Sequence, residues 1–194
     1  MTKKNKPITQ RTQIKSIKSI KSRRTIAKRL QKLPKKYIPK HLSRQDKKKW
    51  ADEIQRSKQS YQRGEYYVRK PVKTYKHKKS SHIDNALKIY NMVSLFDNTK
   101  KEPLNTLSKK SGCSVETLQK IINKGAGAYY SSGSRPNQTP QSWGIARLAS
   151  AITGGKSSYI DRHELLEGCY KNSKALKLMM KKRPRKTQKR RIPK

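Results

Sequence analysis

Between residues 82 and 166, apolar side chains recur at intervals of three and four, the spacing that gathers them on one face of an α-helix. Ile83, Ala86, Leu87, Tyr90 and Val93 predict a first helix of about 83–95, ended by Asp97-Asn98-Thr99. Pro103 opens a second, short helix carrying Leu104 and Leu107, and Gly112 breaks it. Ser114 caps a third, with Val115, Leu118, Ile121 and Ile122 on its inner side and Glu116 complementing the dipole of its first turn. The glycines from Gly125 onward and Pro136 predict a stop at Gly125 and a loop over 125–136. Thr139-Pro140, a cap followed by proline in the first helical position, starts a fourth helix bearing Trp143, Ile145, Leu148, Ala149 and Ile152. Gly154-Gly155 end it, and a last short helix is expected from Asp161, with Glu164 completing a capping box and Leu165 and Leu166 inward. Nothing alternates as a strand should, so the fold class is all-α: a small helical core.

Outside that span the pattern thins. Ile14, Ile17 and Ile20 repeat in an Ile-Lys-Ser triplet that forms an amphipathic helix only when docked, because its like charges crowd one another. Ser43, with Asp46 three residues on, caps a helix near 43–63 that carries Trp50, Ile54 and Tyr61 and stops at Gly64. Residues 65–80 interleave tyrosines with cations. Such a run suits base stacking with phosphate contact, or equally an extended linker whose tyrosines lie on the core.

Charge changes this picture most. The 194 residues hold 51 Lys+Arg against 11 Asp+Glu, a net of +40, and only 31% are hydrophobic. Residues 1–80 hold 28 Lys/Arg and 4 Asp/Glu, residues 81–170 hold 11 and 7, and residues 171–194 hold 12 and none. The chain therefore reads as a basic arm over 1–80, a helical core over 81–170 and a basic tail over 171–194. Both arms are expected to be largely disordered, since they bury too little to offset ordering entropy. Their partner is a polyanion. Nucleic acid is favoured because dispersed cations release its counterions, with DNA ahead of RNA, although charge alone does not separate the two. No run approaches a membrane-spanning length, and the basic N-terminus lacks the apolar block of a secretory signal. Cys113 and Cys169 fit no spacing motif and read as buried, unpaired small residues in a reducing compartment.

The candidate phosphate contacts follow from this. In the N-terminal arm they are Lys15, Lys18, Lys21, Arg23, Arg24, Lys28, Arg29, Lys47, Lys48 and Lys49. In the tail they are Lys181, Lys182, Arg183, Arg185, Lys186, Lys189, Arg190 and Arg191. Within the core, Leu107 to Ile121 has helix-turn-helix spacing, with Gly112 at the turn. A groove-reading second helix would present Thr117, Gln119, Lys120, Asn123 and Lys124; the alternative is a hairpin that only builds a core. Tyr129, Tyr130 and Arg135, with the hydroxyls between them, either clasp a phosphate or base or form a structural clamp. Arg147 is a further candidate contact. Gly154-Gly155-Lys156-Ser157 ends like a phosphate-binding loop, but Ser150 stands where that motif needs glycine and a helix precedes it, so a helix cap is the better account. His41, His77, His82 and His163 are scattered without ligand partners, and no catalytic constellation stands out, so neither metal, cofactor nor enzyme activity is expected.

Two blocks go further. Residues 37–49 and, above all, 125–136 followed by 141–156 resemble a family of proteins of nucleocytoplasmic large DNA viruses, with a shorter form of the second block in tailed phages. The likeness spans about 37–165 and supplies an origin, not an activity. The implied context is a large viral DNA genome, replicated in a factory or nucleus and packed into a capsid. Joined to the cationic arms, it makes the leading expectation a chain that condenses, organises or packages that genome, in the virion and in the host nucleus or viral factory. The rival functions are an inner-capsid component bound to coat proteins and a sequence-specific helix-turn-helix regulator.

Overall fold

The computed structural model describes residues 33–34, 37–76, 79–95 and 102–181, and within them the protein is all-α. The helices are α1 (Arg44–Gln62), α2 (Ser81–Tyr90), α3 (Glu102–Ser111), α4 (Val115–Ser132), α5 (Pro140–Ile152), α6 (Lys156–Ile160), α7 (Arg162–Gly168) and α8 (Lys174–Lys181). None of them is long and apolar enough to cross a membrane.

Local chemistry sets most of the starts. The Ser43 hydroxyl accepts from the Asp46 N–H at 3.0 Å, and Ser114 does the same for Thr117 at 3.2 Å. Thr139 and Ser142 form a reciprocal capping box at the head of α5, whose first residue is Pro140. The α3–α4 turn is made by Gly112, at φ +76, a left-handed conformation that suits glycine.

Three boundaries differ from the sequence expectation. Helix α2 stops at Asn91 in the left-handed region (φ 47), short of residue 95, so Val93 stands fully exposed. Helix α4 does not stop at Gly125; it runs on to Ser132 and ends at Gly133 (φ 106), so most of the expected loop is helix. The reason is a helix–helix contact. A Cβ on Gly125 would sit 2.5 Å from the Cα of Gly144 in α5, and one on Gly144 would sit 2.5 Å from the Ile122 carbonyl oxygen. These glycines let two backbones approach rather than breaking a helix. Finally, Asp161 does not cap α7 and forms no box with Glu164, because Arg147 takes its carboxylate. Leu165 is buried there, whereas Leu166 faces out.

Helix α4 is the centre of the body, packed along α5 and touching α1, α3 and α7. One apolar cluster gathers Leu107, Leu118, Ile121, Leu148, Ile152 and Leu165 with Ala175, Leu176 and Met179 of α8. A second gathers Tyr37, Leu42, Trp50, Ile54, Val72 and Tyr75, against which Trp143 packs. Packing thus continues on both sides of the 81–170 span, through α1 and the segment after it and through α8. Burying Leu176 and Met179 is worth roughly 1.5–3 kcal/mol each, which draws the first turns of the basic tail onto the body.

The cysteines correct the sequence reading: Cys113 and Cys169 form a disulfide. A short antiparallel bridge brings them together, with Ser114 N–H donating to the Gly168 carbonyl and Tyr170 N–H to the Gly112 carbonyl. The partners are 56 residues apart, so no local spacing could announce the pair.

Candidate functional site

The segment after α1 is a strap drawn across α1, α4 and the 133–137 turn. At its middle Arg69 is only 5% exposed. Its Nη1 donates to the Ser134 hydroxyl at 2.8 Å, and its Nη2 donates to the Ser57 hydroxyl at 3.3 Å and to the Tyr129 carbonyl. The guanidinium lies 3.9 Å from the Tyr129 ring centre and 5.6 Å from that of Trp50. Among the described residues no carboxylate bonds to it and its Nε has no partner, and burial lowers its pKa from the usual arginine value. The Tyr129 phenol accepts from the Arg69 backbone N–H at 3.2 Å, and burial raises its pKa. Asn137 completes the clamp: its amide accepts from Val72 N–H at 2.8 Å and donates to the carbonyls of Val72 and Tyr75 at 2.9 and 2.6 Å.

Tyr129 is therefore fully buried structural material and offers no ring to a ligand, which fits the clamp and not the ligand contact of the two sequence readings. Its neighbour Tyr130 is half-buried in a surface group, stacked on Tyr61 with centroids 6.1 Å apart and edge-on to the exposed Tyr66 at 5.1 Å. Arg56 and Arg63, on and just past α1, leave most of their side chains in solvent.

On another part of the surface lies a half-open cavity of about 510 Å³. Ser132 and Arg135 border it from the end of α4 and the turn beyond, and Trp143 and Arg147 from α5. Lys156 and Ser157 border it from the start of α6, and Ser80, Ser81 and His82 from the start of α2. Among the described residues, no Asp or Glu lines it. Arg147 spends two of its donors on the buried Asp161, Nε to Oδ2 at 2.8 Å and Nη2 to Oδ1 at 2.6 Å, which fixes the guanidinium at the wall. Arg135 and Lys156 are exposed. Trp143 is edge-on to Tyr37, centroids 6.0 Å apart. The cavity thus offers cations, hydroxyls and an indole with no opposing carboxylate among the described residues, a set suited to a phosphorylated ligand.

The remaining candidates are dispersed. Lys48 and Lys49 are exposed on α1, while Lys47 donates to the Lys40 carbonyl at 2.8 Å. Along the expected reading helix, Thr117 is buried beneath Gly168, and Gln119 donates to Asn123 at 2.9 Å. Lys124 pairs with Glu164 while staying partly in solvent, and Lys120 and Asn123 are exposed. Lys181 is exposed at the end of α8. Lys15, Lys18, Lys21, Arg23, Arg24, Lys28 and Arg29 lie outside the described residues, as do Lys182, Arg183, Arg185, Lys186, Lys189, Arg190 and Arg191. Sequence reasoning did not single out Arg69 or the meeting of Lys156 with Arg135. A buried arginine looks the same as a surface one in a basic chain, and the two cavity cations are 21 positions apart.

The model of a protein family described as being of unknown function (DUF5824) matches residues 34–167, more than two-thirds of the chain. The chain belongs to that family. The DUF5824 match runs from the start of the Tyr37–Trp50 cluster to the end of α7, and so takes in the Arg69 clamp and every residue lining the cavity. The chain matches no curated protein and no solved structure.

Proposed function

We propose that the protein binds nucleic acid, DNA by preference, through phosphate contacts that do not read sequence, and that it condenses, organises or packages a large viral DNA genome. The distribution of charge carries this reading. Residues 1–32 hold 12 Lys/Arg and residues 182–194 hold eight, with no acid in either, while the span 33–181 holds 31 against 11. Two runs of pure positive charge flanking a body that is itself basic suit a long polyanion better than any small or neutral partner. Within the body, the engaged side chains of Gln119 and Lys124 and the burial of Thr117 favour backbone contact over groove reading by α4. In this proposal the protein acts in the virion and in the host nucleus or viral factory, where the body holds the arms in place and offers a surface to capsid proteins.

The test is a titration of the full chain against duplex DNA from 50 to 200 mM salt, beside a variant in which the eight cations of 182–194 become glutamine. Affinity should fall steeply with salt, and the logarithmic slope of the variant should be shallower by up to about 7 if every tail cation meets a phosphate. A slope near zero for the unaltered chain would sink the proposal.

A further inference from the structure

We propose that the cavity between α2, α4, α5 and α6 is a nucleotide site, taking a phosphate group with an attached planar base. This inference stands apart from the polymer binding proposed above, since it concerns a small recess and not the arms.

The argument begins with charge. Arg135, Arg147 and Lys156 converge on one recess from three elements, and among the described residues no Asp or Glu lines it. Like charges gathered without a counter-ion are unfavourable unless an anion joins them. Among the described residues, the one carboxylate bonded to this group is Asp161, which lies fully buried and holds Arg147 through two oxygens. It orients that guanidinium and leaves three of its five N–H donors unspent, while the two exposed cations remain for the ligand. Hydroxyls of Ser132 and Ser157 add neutral donors at the same rim. Phosphate, with several acceptor oxygens and up to two negative charges, matches this set better than a carboxylate does.

Trp143 extends the assignment from phosphate to nucleotide. It is half-buried on the cavity wall and already edge-on to Tyr37, which leaves the indole held in place instead of free to rotate. A fixed aromatic beside a cationic recess is the pairing that binds a base and its phosphate together. The volume, about 510 Å³, lies within the range of small-ligand pockets. The walls also unite the two sequence blocks that stand out most along the chain. Ser132 and Arg135 come from the glycine-serine run, and Trp143, Arg147 and Lys156 from the block that ends in Gly-Gly-Lys. The Gly-Gly-Lys-Ser segment is not a phosphate loop in the strand-to-helix sense, but its lysine reaches a position where a phosphate would sit.

The same chemistry is offered by a free nucleotide and by the 5′-phosphorylated end of a strand. Trp143 provides the readout, because the other tryptophan, Trp50, is fully buried against Arg69 and shielded from added ligand. The full chain is titrated with adenosine 5′-monophosphate, adenosine and inorganic phosphate, following indole fluorescence excited at 295 nm, in salt high enough to suppress polymer binding. The double variant Arg135→Ala/Lys156→Ala and a control at two exposed lysines away from the cavity, Lys109→Ala/Lys171→Ala, are compared, with circular dichroism verifying that both are folded. We expect saturable quenching by the monophosphate, weakened at least tenfold in the cavity variant and by less than twofold in the control. A 5′-phosphorylated dinucleotide that binds more tightly than the monophosphate identifies the strand end as the source; weaker binding identifies the free nucleotide. Equal losses in the two variants would reduce the effect to general charge attraction and overturn the site. Adenosine as effective as its monophosphate would overturn the phosphate assignment, and inorganic phosphate as effective would overturn the base. No saturable response to millimolar monophosphate would overturn the site altogether. Salt-sensitive duplex binding and fluorescence quenching are separate measurements, so either proposal fails without the other.

Discussion

Two glycines two positions apart in α4 should respond in opposite directions to the same substitution. Both lie inside a regular helix, where alanine exceeds glycine by about 1 kcal/mol because it loses less backbone entropy. At Gly127 a new Cβ would meet only the Tyr61 hydroxyl, at 3.7 Å, an ordinary contact. Gly127→Ala should therefore stabilise by roughly 0.5–1 kcal/mol. At Gly125 the same methyl would stand 2.5 Å from the Gly144 Cα, 3.2 Å from the Gly144 nitrogen and 3.2 Å from the Arg147 Cβ. Backbone cannot swing aside as a flexible side chain can, so α4 and α5 must separate along their shared seam. That cost, of the order of 1–3 kcal/mol in a close-packed core and occasionally more, exceeds the propensity gain. Gly125→Ala should come out destabilised by about 1–2 kcal/mol net, a fall in Tm of several degrees for a chain of this length. Thermal and urea unfolding followed at 222 nm would measure both variants under one condition. If Gly125→Ala melted at or above Gly127→Ala, the seam would not be the reason for the glycine, and the account of why α4 continues past 125 would be wrong.

Two further outcomes follow from contacts far apart in sequence. Opening the Cys113–Cys169 disulfide with reductant should lower stability by about 4 kcal/mol on the chain-entropy estimate for a loop of 56 residues, whereas a Cys113→Ser/Cys169→Ser variant should be insensitive to reductant. A thermal melt unchanged after thiol counting shows the bridge open would refute this. Arg69→Lys should cost about 1.5–3 kcal/mol, because a single ammonium cannot reach the Ser134, Ser57 and Tyr129 oxygens that the forked guanidinium joins. Urea unfolding checks it, and a change under 0.5 kcal/mol would show that Arg69 does not tie the strap to the body.

What could be read from the chain was whatever depends on neighbours in sequence. Ser43, Ser114 and Thr139-Pro140 announce helix starts because a cap bonds to a backbone group two or three positions on, and each of the three makes that bond. The apolar spacing of Leu118, Ile121 and Leu148 likewise marked the buried faces. Gly125 was misread as a stop because glycine serves equally where a chain turns and where two helices touch; only the partner helix tells them apart. Asp161 was misread as a cap because the competing donor, Arg147, lies 14 positions back and reaches it only once α5 and α7 are in place. The cavity fared similarly. Arg135 and Arg147 were picked out for their charge, but the recess they share with Trp143 and Lys156 is a product of how α4, α5 and α6 cross.

The disulfide also changes the covalent topology of the molecule. Residues 113–169 form a closed ring, and most of the cavity wall, from Ala128 to Ile160, belongs to it, whereas Tyr37 and Ser80 to His82 lie on the open chain outside. A protease that cuts once between 114 and 168 opens the ring without dividing the polypeptide, and the products part only on reduction. A cut between Tyr37 and Ser80 severs the chain outright and leaves Tyr37 joined to the rest of the wall by packing alone. Limited digestion run with and without reductant would therefore sort accessible bonds into those inside the ring and those outside it.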